Sequence, residues 1–584
     1  MEHNRVVYAV SDNIISSLGF TTGENIAHIL EAKTGIAPVT NKTLYPEPFL
    51  ASLIDREKAS ALLTTNFSGN LDGFHPLEQL MLLSSVDALK RCAVDPASPQ
   101  TVFIFSTTKG NIDLLTAGNE LNQDVELWEM AKRIAVFWGS PTDPLVISNA
   151  CISGVLAVVL AERLIKSGKY DHAVLIGGDL STEFAVSGFQ SFKSVSPNPC
   201  KPFDKDRDGL SMGEGIATLV LSSDKKTVTD SIPVMVAGGS SSNDANHISG
   251  PSRTGDGLFY AIRDALEAAG IPASVLDLIN PHGTATPFND EMESKAIGLA
   301  SLSGCPLMAL KGYIGHTLGA AGLIESIICL ESIRRQTIFQ TKGFTETGVP
   351  VPVNVTTEIK KGDIRNVLKT ASGFGGCNAA VIFSSETAGI SYKQTPKIRI
   401  SKECLIENRQ VIINGSVAFD GAQYGDFASF IRAAFKSVSD PYMKFSKMDD
   451  LCKLGLTAAE FLLQGTDITE KYERREIAML LENRYSSLDT DITHQRIINI
   501  KDPYQPSPAV FVYTLANIVM GEICIRHKFQ GENLFLISAK KDEKQLMEQV
   551  ELLFSSSKTK ACIAGWADYL NGKYDAKLFL VEKI

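Results

Sequence analysis

The stretch PLVISNACISGVLAVVLAERLIKSG, residues 144–168, holds three signals in succession. PLVIS is a short apolar, β-branched run, the pattern of a strand covered on both faces. From Cys151 to Ser167 the chain is apolar nearly all the way round a helix, which predicts a helix buried inside a large domain. Gly168 stands where helices close with a left-handed residue. Cys151 lies where strand gives way to helix, and the partial positive charge of a helix N-terminus favours thiolate there. A thiol of pKa about 8.5 is only about 3% ionised at pH 7, and a lowering of roughly 1.5 units would make it half thiolate. A lone cysteine among small residues is more often plain packing, so this stretch needs support from elsewhere before it counts as a site.

Working outward, similar runs recur: VVYAV from Val6, TVFIF from Thr101, HAVLIGG from His172, ATLVLSS from Ala217 and AAVIFSS from Ala379. Longer helical patterns separate them, which predicts α/β layers. A chain of 584 residues exceeds one hydrophobic core, so two or more domains are expected. TAGISYKQTPK, residues 387–397, is polar and loses the periodicity, and reads as a linker before a further α/β pattern at 398–584.

Bulk properties narrow the function. The hydrophobic fraction of 44% and charged fraction of 21% are those of ordinary globular protein. A net charge of −10 argues against nucleic acid, and an acidic partner would need a local basic patch. The ten cysteines include no CxxC pair and no metal-ligand spacing, so neither a metal site nor a disulfide framework is indicated. No signal peptide is visible at the N-terminus, and the most apolar run, Val155 to Leu160, is too short to span a bilayer. The expectation is a cytoplasmic protein with no membrane span.

Three further motifs lift Cys151 above the background. PHGTATPFND places His282 in a turn with Thr284, Thr286 and Asp290. LKGYIGHTLGAAG sets Lys311 ahead of His316, with Glu325 following on a helix. SGFGGCNAA puts Phe374 in a glycine turn that enters a strand. A single histidine is more often a satisfied core residue, but two in glycine-rich turns beside strand or helix ends point to chemistry.

With KPFDKDRDGLSMGEG, residues 201–215, these motifs resemble the β-ketoacyl synthases of the thiolase superfamily, over roughly residues 5–386. The resemblance implies a five-layer αβαβα fold from two similar halves, residues 1–250 and 251–386. It also implies roles. Cys151 would carry an acyl chain as thioester, and its backbone N–H with that of Phe374 would form an oxyanion hole. His282 and His316 would donate from Nε2 to the malonyl thioester carbonyl, Lys311 would set the electrostatics, Glu325 would support the site and Phe374 would gate it. The substrates ride on the phosphopantetheine of acyl carrier protein, with no cofactor. Ala285 and Cys377 depart from the family's usual glycine and threonine without touching a reacting group. The competing readings are a non-catalytic scaffold that binds acyl carrier protein, and a thiolase running on coenzyme A esters.

The segment 398–584 reads as a truncated copy of the family's N-terminal half, like the chain-length factors that accompany ketosynthases in polyketide and aryl-polyene pathways. VIINGSVAF, from Val411, resembles the opening strand. Laying PLVISNAC over ENLFLISAK without gaps sets Lys540 on Cys151 and Asp568 on Asp179. No second histidine motif follows. Such a copy would take the place of a second ketosynthase subunit, giving a pseudo-dimer within one chain or a homo-oligomer. Lys540, Lys541 and Lys544 begin a charged helix, by default an exposed face and alternatively a carrier-docking surface.

Overall fold

A computed structural model describes residues 5–584 apart from 68–70, 116–121, 393–395 and 503. One arrangement of five strands is laid down three times along the chain. The first comprises β1 (Tyr8–Ile15), β2 (Thr101–Ser106), β3 (Leu145–Ile147), β4 (His172–Asp179) and β5 (Gly215–Ser222), ordered β3-β2-β4-β5-β1 across the sheet. The second comprises β6 (Val234–Asn243), β7 (Leu278–Asn280), β8 (Pro306–Leu307), β9 (Asn366–Gly373) and β10 (Cys377–Ser384), ordered β8-β7-β9-β10-β6. The third comprises β11 (Ile398–Glu407), β12 (Ile477–Asn483), β13 (Asn533–Ile537), β14 (Ala561–Leu570) and β15 (Lys573–Lys583), ordered β13-β12-β14-β15-β11. In each sheet the first two pairings are parallel and the last two antiparallel.

The helices used below are α1 (Pro76–Lys90), α2 (Ser153–Lys166), α3 (Glu183–Ser191), α4 (Asp256–Ala269), α5 (Pro287–Leu299), α6 (Ala321–Arg335), α7 (Leu488–Asn499), α8 (Ile518–His527) and α9 (Glu543–Ser556). Helices α2 and α6 lie between the first two sheets, with α1 outside one sheet and α4 outside the other. These are the five layers expected. All fourteen residues of α2 are buried. Its only charges sit in its last half and are paired, Lys166 with Glu162 at 2.7 Å and Arg163 with Glu532 at 2.6 Å. Helices α2 and α6 cross at Gly154, where a Cβ would lie 2.4 Å from the Leu323 backbone nitrogen.

The third sheet repeats the first in detail. The β1–β5 register slips between Ala9 and Ser11, and β11–β15 slips at the matching place, between Ile400 and Lys402. Asp179 accepts the backbone N–H groups of Thr108 and Lys109, and Asp568 accepts those of Arg484 and Tyr485. The shift that takes Leu145 to Leu534 also takes Leu175 to Ala564, since each pair flanks the same position of its central strand. That shift sets Lys540 on Cys151, as the gapless reading of the sequence expects. The opening strand is a correction: β11 holds the place of β1, and Val411 lies in the hairpin Gln410–Ile413/Ser416–Asp420 beyond it. The physical reason is the missing second half. Strand β1 leans on β6 through Tyr8 and Met235, whereas β11 has no such neighbour and the hairpin covers its edge.

First and third sheets join edge to edge. Strand β3 runs antiparallel to β13, Ile147 opposite Leu536 and Val146 opposite Ile537. Phe535 N–H donates to Asn149 Oδ1 at 2.6 Å across the seam. The segment expected as a linker is strapped down at its middle: Tyr392 donates its hydroxyl to Glu162, and Lys166 lies 5.4 Å over the Tyr392 ring. Residues 393–395 fall outside the described part. Among the described residues no single helix is long and apolar enough to cross a membrane.

Candidate active site

Cys151 follows β3 on a sharp elbow. Ala150, just before it, is held at φ +49 and fully buried, a left-handed conformation that costs an alanine roughly 1–3 kcal/mol. Helix α2 begins two residues later. The sequence places the thiol where the helix dipole favours thiolate; burial outweighs that effect and pushes the thiol up to about 12, with Lys311 pulling the other way. At rest the Cys151 thiol therefore keeps its proton, where the helix-terminus reading of the sequence expects thiolate.

The two histidines converge on this sulfur from the second half. His316 Nε2 stands 3.2 Å from Cys151 Sγ, and the His282 and His316 rings are 5.1 Å apart at 83°. Their tautomers follow from their neighbours. Leu318 N–H donates to His316 Nδ1 at 3.1 Å, and the Lys311 ammonium faces His282 Nδ1 at 3.3 Å. With both Nδ1 atoms accepting, the ring protons sit on Nε2 and point into the site. Burial, reinforced by Lys311, holds both rings well below the ordinary histidine value, so they are neutral. Cys151, His282 and His316 offer three atoms within 4.8 Å of one another, a spacing that could hold a metal. A neutral metal-bound histidine donates from its far nitrogen. Here the far nitrogens accept, so the donor set suits an oxyanion rather than a cation.

A buried charge chain braces the pair. Lys311 Nζ donates to Glu325 Oε1 at 2.7 Å and to the His282 carbonyl, while Lys369 Nζ reaches Glu325 Oε2 and the Pro281 carbonyl. Glu325 thus holds two ammonium groups, and each of them holds the His282 turn. Asp290 and Glu293, on α5, fix that turn further. Asp290 accepts from Ala285 N–H at 3.2 Å and Phe203 N–H at 2.7 Å; Glu293 accepts from His282 N–H at 2.6 Å and Gly283 N–H at 2.7 Å. The 201–215 motif wraps the other histidine, with His316 N–H donating to the Ser211 carbonyl at 2.8 Å. Lys369 and Glu293 escape sequence reasoning. Lys369 lies in the middle of a buried strand, and a lysine there is the available signal. Glu293 follows Asp290 by three residues on a helix facing the turn.

A cavity of about 270 Å³ opens on all of this. Thr284 and Thr286, their hydroxyls 2.9 Å apart, line it with His282. Cys151, Phe189, Phe374, Phe511 and Leu515 line the same cavity. The last two belong to the segment after residue 398. Phe511 packs edge-on to Phe189 at 5.4 Å, and Gly188 makes room, because a Cβ there would sit 2.1 Å from the Phe511 ring. Asn517 Nδ2 donates to the Phe374 carbonyl at 2.8 Å, so the same segment also holds the glycine turn of Phe374. In the wall of this cavity Lys109 Nζ pairs with Asp491 Oδ1 of α7 at 2.7 Å, both side chains buried. Cys377 is buried under the turn with its thiol pushed up by desolvation, and serves as a packing residue.

Comparison with known proteins agrees with this geometry. The pattern described as "Beta-ketoacyl synthase, N-terminal domain" matches residues 8–227 and "Beta-ketoacyl synthase, C-terminal domain" matches residues 234–345. The chain is 29% identical over 411 residues to a mitochondrial 3-oxoacyl-[acyl-carrier-protein] synthase of Schizosaccharomyces pombe, covering 63% of this chain and 96% of that one. It is 34% identical over 256 residues to 3-oxoacyl-[acyl-carrier-protein] synthase 2 of Rhizobium meliloti, covering 41% of this chain and 60% of that one. The ishigamide ketosynthase/chain length factor structure matches with TM-score 0.60 and 26% identity, over 65% of this chain and 99% of that one. The PfaC keto synthase–chain length factor structure matches with TM-score 0.78 over 99% of this chain and 78% of that one; at 16% identity that likeness speaks for the fold.

Proposed function

The chain belongs to the β-ketoacyl synthase family, and we propose that it joins an acyl thioester to malonyl-acyl carrier protein by decarboxylative condensation. The observation that carries this reading is the neutral, Nε2-protonated histidine pair, with His316 standing 3.2 Å from the half-buried Cys151 thiol. In the first step the Cys151 sulfur attacks the acyl thioester, and its proton leaves with the carrier's thiol. His316 Nε2–H donates toward the developing thiolate; it already holds a proton and does not act as base. In the second step malonyl thioester loses carbon dioxide, and the electron pair left behind spreads onto its carbonyl oxygen. His282 and His316 donate to that oxygen, an arrangement worth about 10²–10³ in rate per donor. The nucleophilic carbon then attacks the Cys151 thioester, whose oxygen is held by the N–H groups of Cys151 and Phe374. Collapse releases the 3-oxoacyl chain on the carrier and expels the Cys151 thiolate, which takes a proton from solvent to return to the thiol. Thr284 and Thr286 guide the pantetheine arm.

The division of labour follows the three sheets. Residues 1–250 and 251–386 form the condensing unit, and 398–584 acts as a chain-length factor in place of a second subunit. Phe511 and Leu515 support this, since they line the same cavity as Cys151. Intact-mass analysis of protein incubated with acyl-carrier substrate tests the chemistry: one acyl mass on Cys151 is expected, and none would sink the reading. Phe511→Ala tests the division. Products should lengthen, and an unchanged product range would remove the length-setting role.

A further inference from the structure

The glycine turn of Phe374 is held from two sides. From the condensing unit, Gly375 N–H donates to the Ile248 carbonyl at 2.6 Å and Asp244 N–H to the Gly376 carbonyl at 2.7 Å. Asn243 Nδ2 donates to the Gly375 carbonyl at 2.9 Å. From the segment after residue 398 comes Asn517, whose Nδ2 donates to the Phe374 carbonyl at 2.8 Å. A carbonyl can only accept, so that partner fixes which end of the amide faces the turn. The same segment reaches the turn a second time, because Asn243 Nδ2 also donates to Asn533 Oδ1 of β13 at 2.8 Å.

Helix α8 comes this close only where glycines let it. A Cβ on Gly375, held at φ +89, would lie 2.6 Å from Asn517 Nδ2, and a Cβ on Gly521, one turn into α8, would lie 2.8 Å from the Gly375 carbonyl oxygen. Asn517 stands at the N-cap position of α8, where an asparagine ordinarily turns its side chain back to accept a helix N–H. It makes no such cap. The side chain is buried, and its Oδ1 has no partner among the described residues. A buried amide that forgoes the cap and leaves its oxygen unsatisfied is not placed to stabilise its own helix.

We propose that Asn517 is a positioning residue for condensation. It fixes the turn so that the Phe374 N–H faces the thioester oxygen on Cys151, and the segment after residue 398 thereby holds half of the oxyanion hole. The proposal rests on the condensing function above. Gly373, Gly375 and Gly376 flank Phe374 and leave its backbone free to rotate, and an anchored Phe374 carbonyl removes that freedom. A donor stabilises a developing oxyanion only if it is already aimed at it. The two oxyanions of the reaction use different donors: the histidine pair for the one left by decarboxylation, the Cys151 and Phe374 N–H groups for the one formed at the Cys151 thioester. Loss of Asn517 should therefore slow acyl transfer and spare decarboxylation.

The test uses the full-length protein and two variants, Asn517→Leu and Asn517→Ser, each also placed in the Cys151→Gln background. Intact mass times the transfer of an acyl group from its carrier to Cys151. Carbon dioxide release from malonyl-carrier protein is timed in the Cys151→Gln background. Each variant should slow acylation about tenfold or more, in maximal rate rather than in KM for the carrier, and change decarboxylation by less than about twofold. Equal losses in both reactions, or acylation at the wild-type rate, would overturn the positioning role. Should Asn517→Leu lose both reactions through misfolding, seen as a lowered thermal melt, Asn517→Ser decides. A wild-type chain that never takes an acyl group on Cys151 would sink the condensing function and this proposal with it. A wild-type chain that does, matched by both variants, would sink this proposal alone.

Discussion

At Cys151 and at Lys540 the chain makes the same move, leaving the outer strand of one five-stranded sheet for a helix. Around both points the strand order, the β-bulge and the aspartate that caps the central strand are shared. The surroundings differ. Helix α2 is buried on every side because a second half lies across it, and that half carries His282 and His316. Helix α9 buries only one face, and Lys540 ahead of it is exposed. Ala150 is held in the left-handed region, whereas Ala539 is not among the residues so held. The strain is kept beside Cys151, where the proposed chemistry needs the thiol presented, and is absent beside Lys540. The lesson is that this fold unit supplies an elbow and a helix, while reactivity comes from what the opposite half places against them.

The sharpest way to break that comparison is to remove the nucleophile. Cys151→Ala should abolish condensation with the fold intact, as judged by an unchanged thermal melt. Cys151→Gln should leave malonyl decarboxylation running without condensation, measured as carbon dioxide release. Next in size is the loss of either histidine. His282→Ala or His316→Ala should lower the decarboxylation rate by about 10²–10³. The same pair sets a pH signature. Both are held well below 6.5 when folded and return to it on unfolding, so the unfolded chain binds more protons between those values. Their contribution to stability is complete above 6.5 and falls as pH drops toward the folded values. The acid limb of kcat should likewise lie well below 6.5; a limb at 6.5 or above would contradict the neutral pair.

The seam between first and third sheets gives a smaller effect. Asp491→Leu strands the buried Lys109 ammonium and should cost about 3–5 kcal/mol in chemical denaturation. Adding Lys109→Met should recover most of that loss, since no charge is then left unpaired. Recovery of nothing would mean the pair does not act as a unit. Least disturbing is Lys540→Cys. An exposed substitution should shift stability by less than about 0.5 kcal/mol. Mass spectrometry after incubation with acyl carrier substrate should find no acyl group on the new thiol, because no histidine pair faces it.

Much of this was legible in residue order. The strand–elbow–helix at 144–168 and the two histidine turns are local signals, and the gapless overlay of PLVISNAC on ENLFLISAK holds because strand and turn lengths match there. What pattern reading missed depends on partners far away in sequence. The protonated state of Cys151 is set by burial under a second half, which its own stretch does not encode. Lys369 and Glu293 matter through contacts with His282, Pro281 and Glu325 that only folding creates. VIINGSVAF, from Val411, mimics an opening strand because a covering hairpin needs the same alternation as the strand it covers.

The antiparallel seam of β3 and β13 has one more consequence. In a pair of identical subunits, every substitution beside the twofold axis happens twice, and the change must suit both copies at once. Here Ile147 faces Leu536 and Lys109 faces Asp491, so each side of the axis is a separate address in one gene. Phe511 can change to reshape the cavity wall while the condensing unit stays as it is. A third sheet that repeats the first in the same chain frees this interface from exact symmetry, and the wall of the cavity can vary without the elbow that holds Cys151.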